Sequence, residues 1–117
     1  MSENKAQVIF IDDDKFIRKS ATQSMEMEGF KVESYADAAS ALAGIDTECT
    51  CVIVTDIKMP GISGLELLQR IKEIDANIPV ILITGQGDIA TAVQAMRDGA
   101  HDFLEKPFAP DNLIEVV

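Results

Sequence analysis

Three hydrophobic runs in this chain each stop at a polar residue capable of chemistry. Val8-Ile9-Phe10-Ile11 ends at Asp12-Asp13-Asp14, Cys51-Val52-Ile53-Val54-Thr55 ends at Asp56, and Val80-Ile81-Leu82-Ile83 ends at Thr84. A shorter run, Asp102-Phe103-Leu104-Glu105, ends at Lys106-Pro107. Near-continuous Val, Ile and Phe is the pattern of strands covered on both faces. Helical periodicity fills the gaps, and strand–helix alternation predicts a parallel sheet. In such a sheet the strand ends of one sense share an edge, and ligands bind outside the carboxyl ends. Acids, a hydroxyl and an amine far apart in sequence are therefore expected to meet in one pocket.

The strands are expected at 7–11, 31–35, 51–55, 79–84 and 102–105. Val32, Glu33 and Ser34 alternate in polarity, which suggests a sheet edge. A first helix is expected over 15–28, closed by Gly29, and a short second one over about 37–43, ending at Gly44. Ser63-Gly64-Leu65-Glu66 has capping-box spacing before a third, with Leu67, Ile71 and Ile74 on one face. The fourth starts near Asp88, stops at Gly99 and is expected to bury Ile89, Ala92, Val93 and Met96. The fifth follows Pro110, with Leu113, Ile114 and Val117 facing inward. The expected class is α/β: a doubly wound, five-stranded parallel sheet with helices on both faces, a flavodoxin-like (βα)5 arrangement. At 117 residues this is a single domain, 1–117, large enough for its own core. The apolar ending Val116-Val117 points to a domain cut from a longer protein.

The formal net charge is -10, so the domain should be repelled by nucleic acid and is not expected to bind it directly. Apolar runs are far short of membrane-spanning length, and Met1–Lys5 lacks a secretory h-region, so no membrane contact and a cytoplasmic location are expected. Cys49 and Cys51 are one residue apart, a spacing at which a disulfide would be strained. Cys51 is expected to pack as a small core residue without a redox role.

Asp12, Asp13 and Asp56 are the centre of the chemistry. Two carboxylates about 4 Å apart repel by about 4 kcal/mol at an effective dielectric near 20. A hard divalent cation compensates that, and Mg²⁺ favours one or two carboxylates plus phosphate oxygens. Asp13 and Asp56 are expected as direct ligands, with Asp12 acting through water and the Lys58 carbonyl completing the shell. Asp56 is also the best nucleophile, since a carboxylate attacking phosphorus gives an aspartyl phosphate. Lys106 would neutralise one phosphoryl oxygen and the Thr84 hydroxyl would donate to another.

Asp12-Asp13, Asp56-Ile57-Lys58-Met59-Pro60-Gly61, Thr84-Gly85 and Lys106-Pro107 together resemble the receiver domains of two-component response regulators, across essentially the whole chain. The resemblance implies phosphotransfer from a sensor histidine kinase to Asp56. It also implies a switch: Thr84 moves toward the phosphoryl group and Phe103 turns inward, altering the surface around the fourth helix, fifth strand and fifth helix. That surface would then engage a second receiver in a homodimer, or the output domain of a longer regulator of which this is the N-terminal part. A cis Lys106–Pro107 bond is implied too, and positions 58 and 86 would tune loss of the phosphoryl group. Thr84 to Phe108, with Lys19–Gln23 and Ala36–Ala38, is most similar to receivers of sigma-54-dependent activators of four-carbon dicarboxylate transport. Receivers of the nitrogen-fixation type, with a helix-turn-helix output, share much of the Thr84–Phe108 segment.

Three rival readings stand beside this one. Asp12-x-Asp14 after a strand also fits a haloacid-dehalogenase-type phosphatase, with Asp12 as nucleophile and Asp14 as general acid. That reading leaves Asp56 idle, and only eleven residues follow Lys106. A flavodoxin-like cofactor binder needs a phosphate cradle where three acids stand. An interaction domain that has lost phosphorylation would not keep every expected site residue. Asp14 is either part of the acidic site or a solvated helix-start residue, and His101 reads as a surface or half-buried side chain.

Overall fold

Parallel strands can be joined only by crossovers that return the chain to the same edge, and those crossovers are right-handed. That rule decides the layering here. The computed structural model describes residues 7–45, 51–59, 61–85 and 88–106. Its elements are β1 (Gln7–Ile11), α1 (Lys15–Met27), β2 (Lys31–Tyr35), α2 (Ala38–Leu42), β3 (Cys51–Asp56), α3 (Gly64–Ile74), β4 (Val80–Thr84), α4 (Ile89–Arg97) and β5 (Asp102–Glu105). All strand pairings are parallel, in the order β2-β1-β3-β4-β5. From β1 the chain steps outward to β2, and afterwards it only moves the other way. The reversal puts α1 on one face and α2, α3 and α4 on the other.

Alternate strand residues serve the two faces. Val8, Phe10, Val54, Ile81 and Ile83 pack with Ala21 and Met25 of α1. Ile9, Ile11, Ile53, Val80 and Leu82 pack with Ala41, Leu67, Leu68, Ile71 and Ala95 of the opposite helices. β4 is buried along its whole length, whereas β2 is mostly exposed, as its alternating sequence predicted for an edge. The expected fold class is the one observed.

Local sequence explains the helix starts. Asp14 accepts hydrogen bonds from the Phe16 and Ile17 N–H groups, Asp37 from Ser40, and Ser63 from Glu66 at 3.2 Å. Each offers a side-chain oxygen to an otherwise unpaired first-turn amide. Gly29 and Gly99 end α1 and α4 at φ 95 and 109, where a side chain would be strained.

Two expectations need correction. α4 buries Ala92 and Ala95, while Val93 and Met96 are 43% and 38% exposed. Both stripes are apolar, so the pattern could not choose between them; the small residues let the helix sit close to the sheet, and the larger ones fall outside. Cys51 is buried in the core as expected, but its sulfur is disulfide-bonded and is not a plain thiol. Cys49, Gln86, the Lys106–Pro107 bond and the fifth helix lie outside the described residues.

The orientation of α4 has a direct check. Ala95→Leu should overpack the core and cost about 1–3 kcal/mol, whereas Val93→Ser should stay within about 0.5 kcal/mol of the parent. Urea midpoints of the two variants read this out, and the reverse ranking would restore the larger-residue face.

Candidate functional site

The reversal of chain direction falls between β1 and β3. Because α1 leaves β1 on one side of the sheet and α3 leaves β3 on the other, a crevice opens at their carboxyl ends. Register fills it. Ile11 pairs with Thr55, so Asp12 follows one strand and Asp56 ends its neighbour. Asp56 pairs with Ile83, which sets Thr84 one step further along β4. Thr84 pairs with Glu105, and the Lys106 N–H donates to the Thr84 carbonyl at 2.8 Å.

Carboxylate oxygens of Asp12, Asp13 and Asp56 lie within 4.8 Å of one another. Asp12 and Asp56 are buried and Asp13 is exposed, so the cluster opens to solvent on the Asp13 side. Lys106 Nζ donates to Asp56 Oδ2 at 3.0 Å and stands 3.4 Å from Asp12 Oδ2. One ammonium thus meets two of the three acids. Burial is the main force raising the Asp12 pKa above its usual value; the Asp14 N–H opposes it, the Asp56 charge adds to it, and Lys106 pulls it down. At Lys106 desolvation pulls the pKa down, but the Asp56 hydrogen bond and the two negative charges outweigh it, and the net shift is upward.

Two polar atoms are left over. Thr84 Oγ1 is buried without a hydrogen-bond partner, and buried Asp12 Oδ2 has only the Lys106 ammonium, 3.4 Å away and outside good hydrogen-bond geometry. An unpaired buried polar atom costs about 1–3 kcal/mol, so both are places where a bound group would be stabilised. A cluster of hard oxygen donors, one of them a buried carboxylate oxygen that accepts no hydrogen bond, fits Mg²⁺. The unpaired hydroxyl, across from the only ammonium that reaches the cluster among the described residues, fits an oxyanion.

Other residues fall as follows. Asp14 is committed to capping α1, which places it as a helix-start residue. The Lys58 side chain is 80% exposed and turns to Asp88 at 3.6 Å. Phe103 is half-buried and packs against the core on the α2–α4 face. His101 is exposed.

Gly64 went unread as a site residue. Its N–H donates to the Ile57 carbonyl at 2.8 Å, and a Cβ there would overlap the Asp56 carbonyl oxygen and lie 2.7 Å from Ile57 Cα. Only glycine lets α3 begin against the end of β3. A glycine at the first helical position, where helix propensity argues against it, was the available signal.

The raised Asp12 pKa makes a signed prediction. A carboxyl with a raised folded pKa is costly while charged, so the cost is present at neutral pH. It fades as pH falls through the folded pKa toward the ordinary value near 3.8. Asp12→Asn should therefore stabilise the metal-free domain at pH 7 by about 0.5–2 kcal/mol, and the gain should shrink as pH drops toward 4. Urea unfolding at several pH values in chelator tests this; a gain independent of pH would remove the electrostatic cause.

Comparison with known proteins gives this geometry a family. The chain is 48% identical over 108 residues to the C4-dicarboxylate transport transcriptional regulatory protein DctD of Rhizobium meliloti (strain 1021), covering 92% of this chain and 24% of that protein. It is 43% identical over 110 residues to the transcriptional regulatory protein FixJ of the same organism, covering 94% and 54%. The chain thus spans about a quarter of the DctD relatives and about half of the FixJ relatives. Among solved structures, a response regulator receiver domain protein from Clostridium thermocellum superposes with a TM-score of 0.90 at 32% identity, over 96% of this chain and 90% of that one. FixJ-N superposes at 0.89 with 41% identity, over 97% and 91%. The family model for the response regulator receiver domain matches residues 8–117, and the chain belongs to that family of signalling domains.

Proposed function

We propose that the domain is a phosphorylation-operated switch in which Asp56 accepts a phosphoryl group from a sensor histidine kinase. The observation that carries this reading is the 3.0 Å hydrogen bond from Lys106 to Asp56 inside an otherwise acidic crevice. It marks Asp56 as the acid already coupled to the cation that would share its charge after transfer. Asp14, bound to the start of α1, is not available as the general acid that a phosphatase with Asp12 as nucleophile needs.

Asp13 and Asp56 would hold Mg²⁺ directly, Asp12 through water and Lys58 through its backbone carbonyl. Bound there, the ion would neutralise charge on the phosphoryl oxygens during transfer. Transfer forms a bond from an Asp56 carboxylate oxygen to phosphorus and breaks the phosphorus–nitrogen bond of the kinase histidine, whose nitrogen keeps the electron pair. Lys106 neutralises one oxygen of the product. Thr84, whose hydroxyl now lacks a partner, donates to another. This supplies the differential free energy that a two-state element requires. The phosphorylated state satisfies a buried hydroxyl that the resting state leaves unpaired. Movement of Thr84 draws on β4 and the start of α4, and half-buried Phe103 on the adjacent strand turns further inward.

The changed surface around the fourth helix, fifth strand and fifth helix then engages an output domain of a longer cytoplasmic regulator, or a second receiver. The resemblance of the Thr84–Phe108 segment to receivers of sigma-54-dependent activators favours such an activator as that output, in keeping with similarity to DctD, a C4-dicarboxylate transport transcriptional regulatory protein. The resemblance of the same segment to receivers of the nitrogen-fixation type keeps a helix-turn-helix output as the second reading, in keeping with similarity to the transcriptional regulatory protein FixJ.

Intact mass after incubation with Mg²⁺ and acetyl phosphate tests the acceptor. A single base-labile phosphoryl adduct is expected, absent from Asp56→Asn; an adduct that survives in that variant would move the nucleophile to Asp12. The switch is tested by amide exchange with and without a phosphoryl mimic. Protection should change within 84–108, and an unchanged profile there would remove the switch while leaving the acceptor in place.

A further inference from the structure

We propose that Arg18 is a positioning residue for the acidic loop, holding Asp12–Asp14 in the shape that brings Asp13 to the cation site; the inference rests on the Mg²⁺ reading above and deepens it. Arg18 stands on the first turns of α1, and its guanidinium donates to the Asp12 backbone carbonyl at 2.7 Å. A hydrogen bond from an ionised donor is shorter and stronger than a neutral one. The Asp12 N–H is fixed from the other side by the Tyr35 carbonyl at 3.1 Å. Asp12 Oδ1 accepts from the Asp14 N–H at 2.9 Å, and the Arg18 N–H donates to the Asp14 carbonyl at 3.0 Å. Arg18 therefore closes the loop twice, once through its backbone and once through its side chain.

Asp13 is the one member of the cluster that is exposed, and no hydrogen bond to its carboxylate is among those described. Its place within 4.8 Å of Asp12 and Asp56 is set by the backbone on either side of it. Fixing the Asp12 carbonyl fixes the peptide plane from which Asp13 departs. A loop ordered in advance loses less entropy when it closes on a cation, which raises affinity without a new contact.

Calorimetric titration with Mg²⁺ alone, together with amide exchange of Asp13 and Asp14 in metal-free protein, separates the possibilities. Arg18→Ala should weaken Mg²⁺ binding by roughly tenfold or more, the size seen when a group supporting a metal ligand is removed. Loop exchange should quicken without metal. Arg18→Lys keeps the charge but loses the planar fork and should recover only part of the affinity. A drop in the urea midpoint with Mg²⁺ affinity and loop exchange unchanged would leave Arg18 a structural residue and overturn the inference. Failure of the parent protein to bind Mg²⁺ would overturn the reading of the site instead, while the exchange data would still report whether Arg18 orders the loop.

Discussion

Mutual repulsion of three carboxylates at one crevice is the constraint around which this domain is built. Two unit charges about 5 Å apart repel by about 3 kcal/mol at an effective dielectric near 20. The fold holds Asp12, Asp13 and Asp56 within 4.8 Å regardless, and among the described residues a single ammonium, Lys106, offsets part of the charge. A soft scaffold would let them spread. The one here does not, because β1, β3 and β4 are locked between two packed layers and carry almost fully buried side chains. Rigid strands convert a local electrostatic cost into a site with a standing demand for positive charge.

The same economy of placement connects the site to the rest of the molecule. Thr84 ends the fully buried strand β4 and is hydrogen-bonded to Lys106 through the backbone, so the hydroxyl and the ammonium sit at the ends of adjacent strands. The Lys58–Asp88 pair ties the loop after β3 to the start of α4 at 3.6 Å; both ends of that pair are near solvent, and its energy is accordingly small. Stronger coupling comes from packing, since Phe103 meets the core on the face that α4 also covers. Gly64 and Arg18 act on the geometry of the site without belonging to the cluster: one lets a helix begin against Asp56, the other fixes the carbonyl of Asp12.

Much of this was readable beforehand, for identifiable reasons. Strands such as Val8–Ile11 and Val80–Ile83 announce themselves because burial on both faces leaves no polar position. The cap at Ser63, and the helix-start role that was one of two open to Asp14, obey local chemistry within a few residues. The facing side of α4 was not readable, because Ile89, Ala90, Ala92, Val93, Ala95 and Met96 are apolar around more than one stripe. Size favoured Val93 and Met96, yet close approach to the sheet selected Ala92 and Ala95. The role of Arg18 has no sequence signal either, since its partner is a backbone atom, and backbone acceptors leave no trace in a side-chain pattern.

The sequence by itself determined the order of strands and helices, the helix starts, and which polar residues terminate strands, because each depends on interactions between near neighbours or on simple periodicity. Tertiary structure decided the rest. The strand order β2-β1-β3-β4-β5 brings Asp12 beside Asp56 and Thr84 beside Lys106. The spacing of the carboxylates, the direction in which Lys58 turns and the unpaired state of the Thr84 hydroxyl follow from that assembly. These are relations between residues tens of positions apart, and their energies exist only once the layers have closed and water has been excluded.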